Sequence, residues 1–89
     1  MEASLGILKV FISAGCLGCK RALELVTWLR RVKPQLGVEV VDIALKPDAV
    51  GGYSIFAIPT YVYNNKAVFL GNPSRKELQL WMDRLQPEA

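Results

Sequence analysis

Residues 6–32 read GILKVFISAGCLGCKRALELVTWLRRV, and their apolar periodicity changes midway. Residues 6–13 are a nearly continuous apolar run rich in Ile, Val and Phe, which is typical of a strand that is covered on both faces. From residue 16 onward, apolar residues recur at helical spacing and predict one buried stripe. The stripe consists of Ala22, Leu25, Val26, Leu29 and Val32. Cys16 and Cys19 therefore fall where a strand passes into a helix.

The next part of the sequence predicts three more strands. Residues 38–44 are rich in β-branched side chains, and the intervening helix is long enough to return this strand parallel to the first one. Residues 60–63 and 67–70 flank an Asn-Asn-Lys turn whose residues tolerate left-handed backbone conformations. These two short strands are therefore expected to pair antiparallel.

Two more helices are predicted from local signals. A short helical or irregular stretch follows Lys46-Pro47-Asp48, because Pro is favoured in a first helical turn, and the Gly51-Gly52 pair weakens it. Residues 74–77 (SRKE) have the form of a capping box at the start of a final helix. The apolar stripe of that helix is Leu78, Trp81, Met82 and Leu85. The order β-α-β-α-β-β-α predicts an α/β fold with a four-stranded mixed sheet, helices on both faces and one domain over residues 1–89.

Composition excludes several other classes of protein. The chain is 52% hydrophobic and 21% charged, with a formal charge of +3, as in ordinary soluble globular proteins. Arg30, Arg31 and Lys33 form a short basic cluster that suits a helix C-terminus, so no nucleic-acid partner is expected. No apolar run approaches membrane-spanning length, and Glu2 and Lys9 do not suit a secretory signal. We therefore expect a cytoplasmic protein without a membrane partner.

The two cysteines have several possible roles. A disulfide between Cys16 and Cys19 would close a loop of only about four residues and would stabilise the fold little. Two inert buried thiols are a second possibility, since free cysteine is often buried. Structural zinc normally takes four ligands, whereas the chain has two cysteines and no histidine. Two thiolates suffice for Cu(I), so a copper or shared-metal carrier stays open.

Redox chemistry fits the position of the pair best. The thiolate is the reactive form of cysteine, and the amides and dipole of a helix N-terminus stabilise it. Helical spacing turns Cys16 further from the apolar stripe than Cys19, so Cys16 is predicted to attack and Cys19 to resolve. Gly15 and Gly18 keep bulk away from the outer sulfur, and Lys20 adds positive charge that favours the thiolate.

The motif and its distance from a later proline resemble the thioredoxin superfamily. Residues 16–20 (CLGCK) are similar to a thioredoxin active site, and Pro59 of an Ile-Pro-Thr sequence follows Cys16 by 43 positions. Further similarity lies at Pro47, Tyr53, Ile55, Gly71, Ser74, Arg75 and Leu78. The resemblance implies a thioredoxin-like fold, a cis Ile58–Pro59 peptide bond and exchange through a mixed disulfide.

The resemblance also implies partners and binding residues. The backbone of Ile58 would pair with an extended client segment by strand addition. The predicted substrate-binding residues are Gly15, Leu17, Gly18, Ile58 and Pro59, with Lys20 and Thr60 in support. Expected partners are client proteins with disulfides and a reductase or small-thiol electron donor. We expect a monomer without a cofactor beyond its own redox-active disulfide.

The sequence departs from the family pattern at several places. An additional N-terminal strand and helix of full-length thioredoxins is not expected here, which makes the size similar to a glutaredoxin. Val10 replaces a buried carboxylate of many thioredoxins, and Gly15 replaces a common aromatic residue. Residues 57–59 and 71–73 differ from the glutathione-binding motifs of glutaredoxins. A glutathione-linked glutaredoxin and a binding adaptor with little redox turnover remain alternatives.

Overall fold

A mixed β-sheet with helices packed on it forms the part of the chain that the computed structural model describes, namely residues 4–13, 16–46 and 58–87. The elements in chain order are β1 (Ile7–Ile12), α1 (Cys19–Val32), β2 (Gly37–Asp42), β3 (Thr60–Tyr63), β4 (Lys66–Leu70) and α2 (Arg75–Asp83). Within the described residues no helix is long and apolar enough to cross a lipid bilayer.

The sheet has the strand order β2-β1-β3-β4. The first strand runs parallel to β2 and antiparallel to β3, and β3 and β4 form an antiparallel hairpin. Asn64 and Asn65 turn the hairpin with φ angles of 51° and 64°, which asparagine tolerates better than most residues. The mixed four-stranded sheet confirms the predicted fold class, and it places the C-terminal end of the central strand β1 next to the cysteines.

Both described helices pack on one face of the sheet. The core between them is formed chiefly by Leu8, Val10, Ala22, Leu25, Val26, Leu29, Tyr61, Leu78 and Met82, all buried. The guanidinium of Arg75 lies 5.4 Å from the ring centre of Trp28 and joins the outer edges of the two helices. This face therefore fixes α1, and with it the cysteine motif, against the central strands.

The opposite face of the sheet has a smaller apolar cluster. Phe11, Val41 and Val62 are buried there, and Ile43 packs against them. The short helix predicted after Lys46 falls on residues 47–57, which lie outside the described residues. Helices on both faces of the sheet thus stay a prediction.

The end of β2 and the burial of Val32 differ from the predictions. The strand predicted over residues 38–44 ends at Asp42, because the Asp42 carboxylate accepts the amide of Ala44 at 2.9 Å and turns the chain. Val32, predicted as part of the buried stripe of α1, is 44% exposed. Val32 is the last residue of α1 and lies at one margin of that stripe.

The predicted capping box at the start of α2 is present. The amide of Glu77 donates to the Ser74 hydroxyl at 3.1 Å, and the amide of Ser74 donates to the Glu77 carboxylate at 3.0 Å. These bonds satisfy donors that a helix N-terminus otherwise leaves unpaired. The helix begins close to the end of β4, so the loop over residues 71–74 stays near the cysteine motif.

Candidate active site

Cys16 and Cys19 are joined by a disulfide just beyond the C-terminal end of β1. Their Cα atoms are 5.3 Å apart, which lies within the usual range for disulfides. The backbone amide of Cys19 donates to the carbonyl of Cys16 at 3.3 Å and closes a turn around Leu17 and Gly18. The pair is thus held by a covalent bond and by a backbone hydrogen bond within one tight turn.

The prediction that Cys16 lies on the helix is wrong. The first residue of α1 is Cys19, and Gly18 is its N-cap. The carbonyl of Gly18 accepts the amide of Ala22 at 3.0 Å, which is the first α-helical hydrogen bond, whereas Cys16 belongs to the preceding i→i+3 turn. Cys16 therefore lies just ahead of the helix N-terminus rather than in its first turn.

The two sulfur-bearing residues differ in exposure. Cys19 is 7% exposed and forms part of the buried interior, whereas Cys16 is only partly buried. Leu17, between them, is fully exposed. The pair is therefore asymmetric, with Cys16 more accessible than Cys19.

Pro59 lies against the cysteine turn. The Ile58–Pro59 peptide bond is cis, Pro59 is buried and Ile58 is half-buried. A Cβ atom on Gly18 would lie 3.2 Å from Pro59 Cδ, so glycine is what lets the two loops approach this closely. Thr60, the first residue of β3, is buried and continues the chain into the core. The structure thus brings Pro59 to the cysteine motif, with Ile58 and Thr60 on either side of it in the chain.

Asn72 is a site residue that the sequence interpretation missed. Its Nδ2 donates to the carbonyl of Gly18 at 2.8 Å, and its Oδ1 accepts the hydroxyl of Tyr61 at 2.9 Å. The neighbouring amide of Gly71 donates to the carbonyl of Pro59 at 2.7 Å. The loop over residues 71–73 therefore contacts both the cysteine turn and the proline loop. An Asn-Pro pair just after a strand was the only local signal for it.

The hydroxyl of Tyr61 is a permanent hydrogen-bond donor at this site. Burial raises the pKa of Tyr61 to about 12, and nearby Arg21 opposes the rise. The phenol therefore stays protonated at neutral and moderately alkaline pH. Because the carbonyl of Gly18 can only accept, Nδ2 of Asn72 faces Gly18, and Oδ1 accepts the proton of the Tyr61 hydroxyl.

The charges near the motif are basic. Lys20 is exposed, α1 has no acidic residue in its first turn, and Arg21 pairs with Glu24 at 3.4 Å on the surface. The interior near the motif holds no carboxylate among the described residues. Val10 is fully buried, and the polar side chain buried there is that of Thr60. Gly15 lies outside the described residues. The same described residues contain no group of three or more His, Cys, Asp and Glu that could hold a metal ion.

These features define a class of protein. A partly exposed Cys-x-x-Cys disulfide at the end of a central strand, in a four-stranded sheet of this topology, belongs to a disulfide oxidoreductase of thioredoxin-like fold. The chain is a member of the thioredoxin family, because the family profile described as "Thioredoxin domain" matches residues 7–83.

Relatives and solved structures agree with this assignment. A curated "Probable Thioredoxin" from Methanothermobacter thermautotrophicus is 32% identical over 72 residues, which are 80% of this chain and 85% of that protein. A curated thioredoxin from Methanocaldococcus jannaschii is 29% identical over 72 residues, with the same 80% and 85% coverage. The X-ray structure of Fasciola hepatica thioredoxin aligns with a TM-score of 0.73 and 25% identity, covering 90% of this chain and 80% of that one.

Gly18→Ala is expected to destabilise the protein by about 1–3 kcal/mol. The new methyl group would lie 3.0 Å from Asn72 Nδ2 and 3.2 Å from Pro59 Cδ, and the proline ring cannot move without its loop. Urea unfolding of the oxidised protein measures the change. Leu17→Ala, at the fully exposed neighbouring position, is the control and should change stability by less than about 0.5 kcal/mol. Equal stabilities for the two variants would contradict the close approach of Gly18 to Pro59.

Proposed function

We propose that the protein reduces or exchanges disulfides of client proteins through a mixed disulfide on Cys16. The observation that carries this proposal is the disulfide between a partly exposed Cys16 and a 7% exposed Cys19. Cys16 is the more exposed of the two residues, so its sulfur forms the covalent intermediate. The inner sulfur is shielded from clients and is reserved for the intramolecular step.

The chemical steps transfer two electrons from the dithiol to the client. The Cys16 thiolate attacks one client sulfur, a Cys16–client disulfide forms, and the second client sulfur leaves as a thiolate that takes up a proton. The Cys19 thiol then loses its proton and attacks Cys16 Sγ. The Cys16–Cys19 disulfide forms, the bond to the client breaks, and the client leaves as a dithiol. A reductase or a small thiol returns the two electrons.

Client binding is proposed for the surface around the cysteine turn. Ile58 would offer its backbone to an extended client segment, next to Pro59 and the protruding side chain of Leu17. The half-burial of Ile58 and the full exposure of Leu17 support this arrangement. Main-chain pairing does not depend on client side chains, so clients of varied sequence are expected.

The proton of Cys19 needs an acceptor in this mechanism. The position of Val10 offers none, since its side chain is aliphatic and fully buried. We assign the proton to water, because a positively charged lysine such as Lys20, exposed beside Cys19, has hydrogen-bond donors but no acceptor. A cytoplasmic location, a monomeric state and a single domain over residues 1–89 are further parts of the proposal.

Cys19→Ser is expected to trap client proteins on Cys16, because the variant can attack a disulfide but cannot complete the exchange. Non-reducing electrophoresis after incubation with a disulfide-containing protein such as insulin should show an adduct that dithiothreitol removes. The wild type should show almost none. The matched control is the Cys16→Ser variant, whose remaining thiol is the shielded one. Adducts of equal amount on both single variants would contradict the assigned roles.

A further inference from the structure

The peptide unit between Gly18 and Cys19 is held by hydrogen bonds on both sides. Its N–H donates to the carbonyl of Cys16 at 3.3 Å, and its carbonyl accepts from Asn72 Nδ2 at 2.8 Å and from the amide of Ala22 at 3.0 Å. This unit determines the direction in which Cys19 leaves the turn. Of these three hydrogen bonds, the one from Asn72 comes from a residue outside both the cysteine motif and α1.

The Asn72 side chain is itself fixed. Tyr61, which is fully buried in β3, donates to its Oδ1 at 2.9 Å. On either side of Asn72, Gly71 has a φ of 87° and donates its amide to Pro59, and Pro73 is buried. Asn72 itself is exposed, and its amide group reaches Gly18 from a segment that is held on both sides.

From these contacts, and resting on the proposed function, we infer that Asn72 is a positioning residue for the second step of exchange. It holds the Gly18–Cys19 peptide unit so that Cys19 stays aimed at Cys16 Sγ when the two sulfurs are not bonded. In the oxidised protein the disulfide itself holds the turn, whereas in the reduced protein and the mixed disulfide that covalent constraint is gone. In these two states the hydrogen bond from Asn72 contributes most to keeping Cys19 directed at Cys16 Sγ.

The inference predicts different effects on the two steps. Attack by Cys16 on an external disulfide does not depend on where Cys19 points, so its rate should change less than about 2-fold in Asn72→Ala. Ring closure by Cys19 should slow by about 5-fold, the size expected from the loss of one neutral hydrogen bond. The equilibrium with glutathione should shift about 5-fold toward the dithiol. That shift corresponds to about 20 mV, since a tenfold change for a two-electron couple is about 30 mV.

Reaction of the reduced protein with dithiobis(nitrobenzoate) separates the two steps. The first nitrothiophenolate is released by attack of Cys16, at a rate proportional to reagent concentration. The second is released when Cys19 closes the disulfide, at a rate independent of reagent concentration. Asn72→Ala should slow only the second phase. Gln79→Ala is the matched control, because it removes an exposed amide that bonds Asp83 on α2, and both phases should match the wild type.

Tyr61→Phe tests the orientation of the amide. This variant keeps the buried ring and removes the hydroxyl, so the second phase should slow in the same direction. In an Asn72→Ala background it should slow that phase no further, since there is no amide left to orient. Independent, multiplicative effects of the two substitutions would overturn the inference. The inference is equally wrong if Asn72→Ala lowers thermal stability but leaves the second phase and the glutathione equilibrium unchanged.

The failure of this inference is distinguishable from the failure of the proposed function. If the wild type releases only one nitrothiophenolate per molecule and keeps the other as a stable adduct on Cys16, its thiols do not act as a pair and the proposed function is wrong. If the wild type shows both phases and Asn72→Ala matches it in both, only the positioning role of Asn72 is lost. The three-way comparison of wild type, Asn72→Ala and Gln79→Ala therefore decides each claim separately.

Discussion

Cys16→Ser is expected to lower the protein-catalysed rate of disulfide reduction, measured after subtraction of the rate of the electron donor alone, by at least about 1000-fold. A serine hydroxyl stays protonated at neutral pH and cannot form a disulfide with the client. Cys19 cannot take over, since it is 7% exposed and lies in the first turn of α1 on its buried side. Reduction of insulin with a fixed concentration of dithiothreitol, followed by turbidity, measures the change.

The control for Cys16→Ser is the reduced wild type. Both proteins lack the Cys16–Cys19 disulfide, so their thermal unfolding in excess reductant should agree within a few degrees. Loss of activity in a folded variant then reports on the sulfur itself. Retention of even a tenth of the wild-type rate would show that turnover does not pass through Cys16. That result would favour an adaptor that binds its partner beside Pro59.

Leu25→Ala is expected to destabilise the protein by about 2–5 kcal/mol. Leu25 is fully buried on α1 in the core shared with β1 and α2, where removal of its isobutyl group leaves a cavity. For a domain of this size the melting temperature should fall by roughly 10–25 °C. The helix that carries Cys19 rests on this core, so activity should disappear at the same temperature as the fold.

Leu23→Ala is the matched control for the core substitution. Leu23 lies two residues earlier on the same helix and is 45% exposed, so the same chemical change should cost less than about 1 kcal/mol. Calorimetry of both variants and the wild type, in the oxidised state, makes the comparison. A similar loss of stability at both positions would mean that the buried face of α1 is assigned incorrectly.

Elements whose formation depends on nearby residues could be predicted from the sequence. The strand-to-helix change after β1, the capping box of Ser74 and Glu77, and the asparagine turn of the hairpin each rest on local physics. Periodicity reports which face an element buries, and capping and turn residues act within four positions. The parallel pairing of β1 and β2 followed from the length of the crossover between them.

The start of α1 could not be located to the residue. Cysteine, leucine and glycine have no strong preference that separates an i→i+3 turn from the first helical turn, so the sequence pattern predicts Cys16 on the helix. Contacts with distant residues also act on this turn, since Gly18 lies so close to Pro59 that a Cβ atom would be 3.2 Å from Pro59 Cδ. The prediction for Val32 is wrong for a related reason, because this residue lies at the margin of an otherwise buried stripe.

The contacts of Asn72 could not be predicted from the sequence. Its partners, Gly18 and Tyr61, are 54 and 11 positions away. Periodicity reveals which side chains are buried but not which polar groups meet across loops. A tyrosine in a buried strand is typical of a core residue, and only the folded structure shows that its hydroxyl reaches a loop beside the cysteines.

Because β2 is an edge strand of the sheet, its outer side bears on association between molecules. An edge strand exposes backbone N–H and C=O groups with which a strand of another copy could pair. The amide of Gly37 bonds inward to Gly6, and by the alternation of strand residues the next carbonyl, that of Val38, faces outward. Arg30 donates to this carbonyl at 2.7 Å. The guanidinium occupies a place where intermolecular sheet growth would begin, and its charge repels another copy of this basic chain.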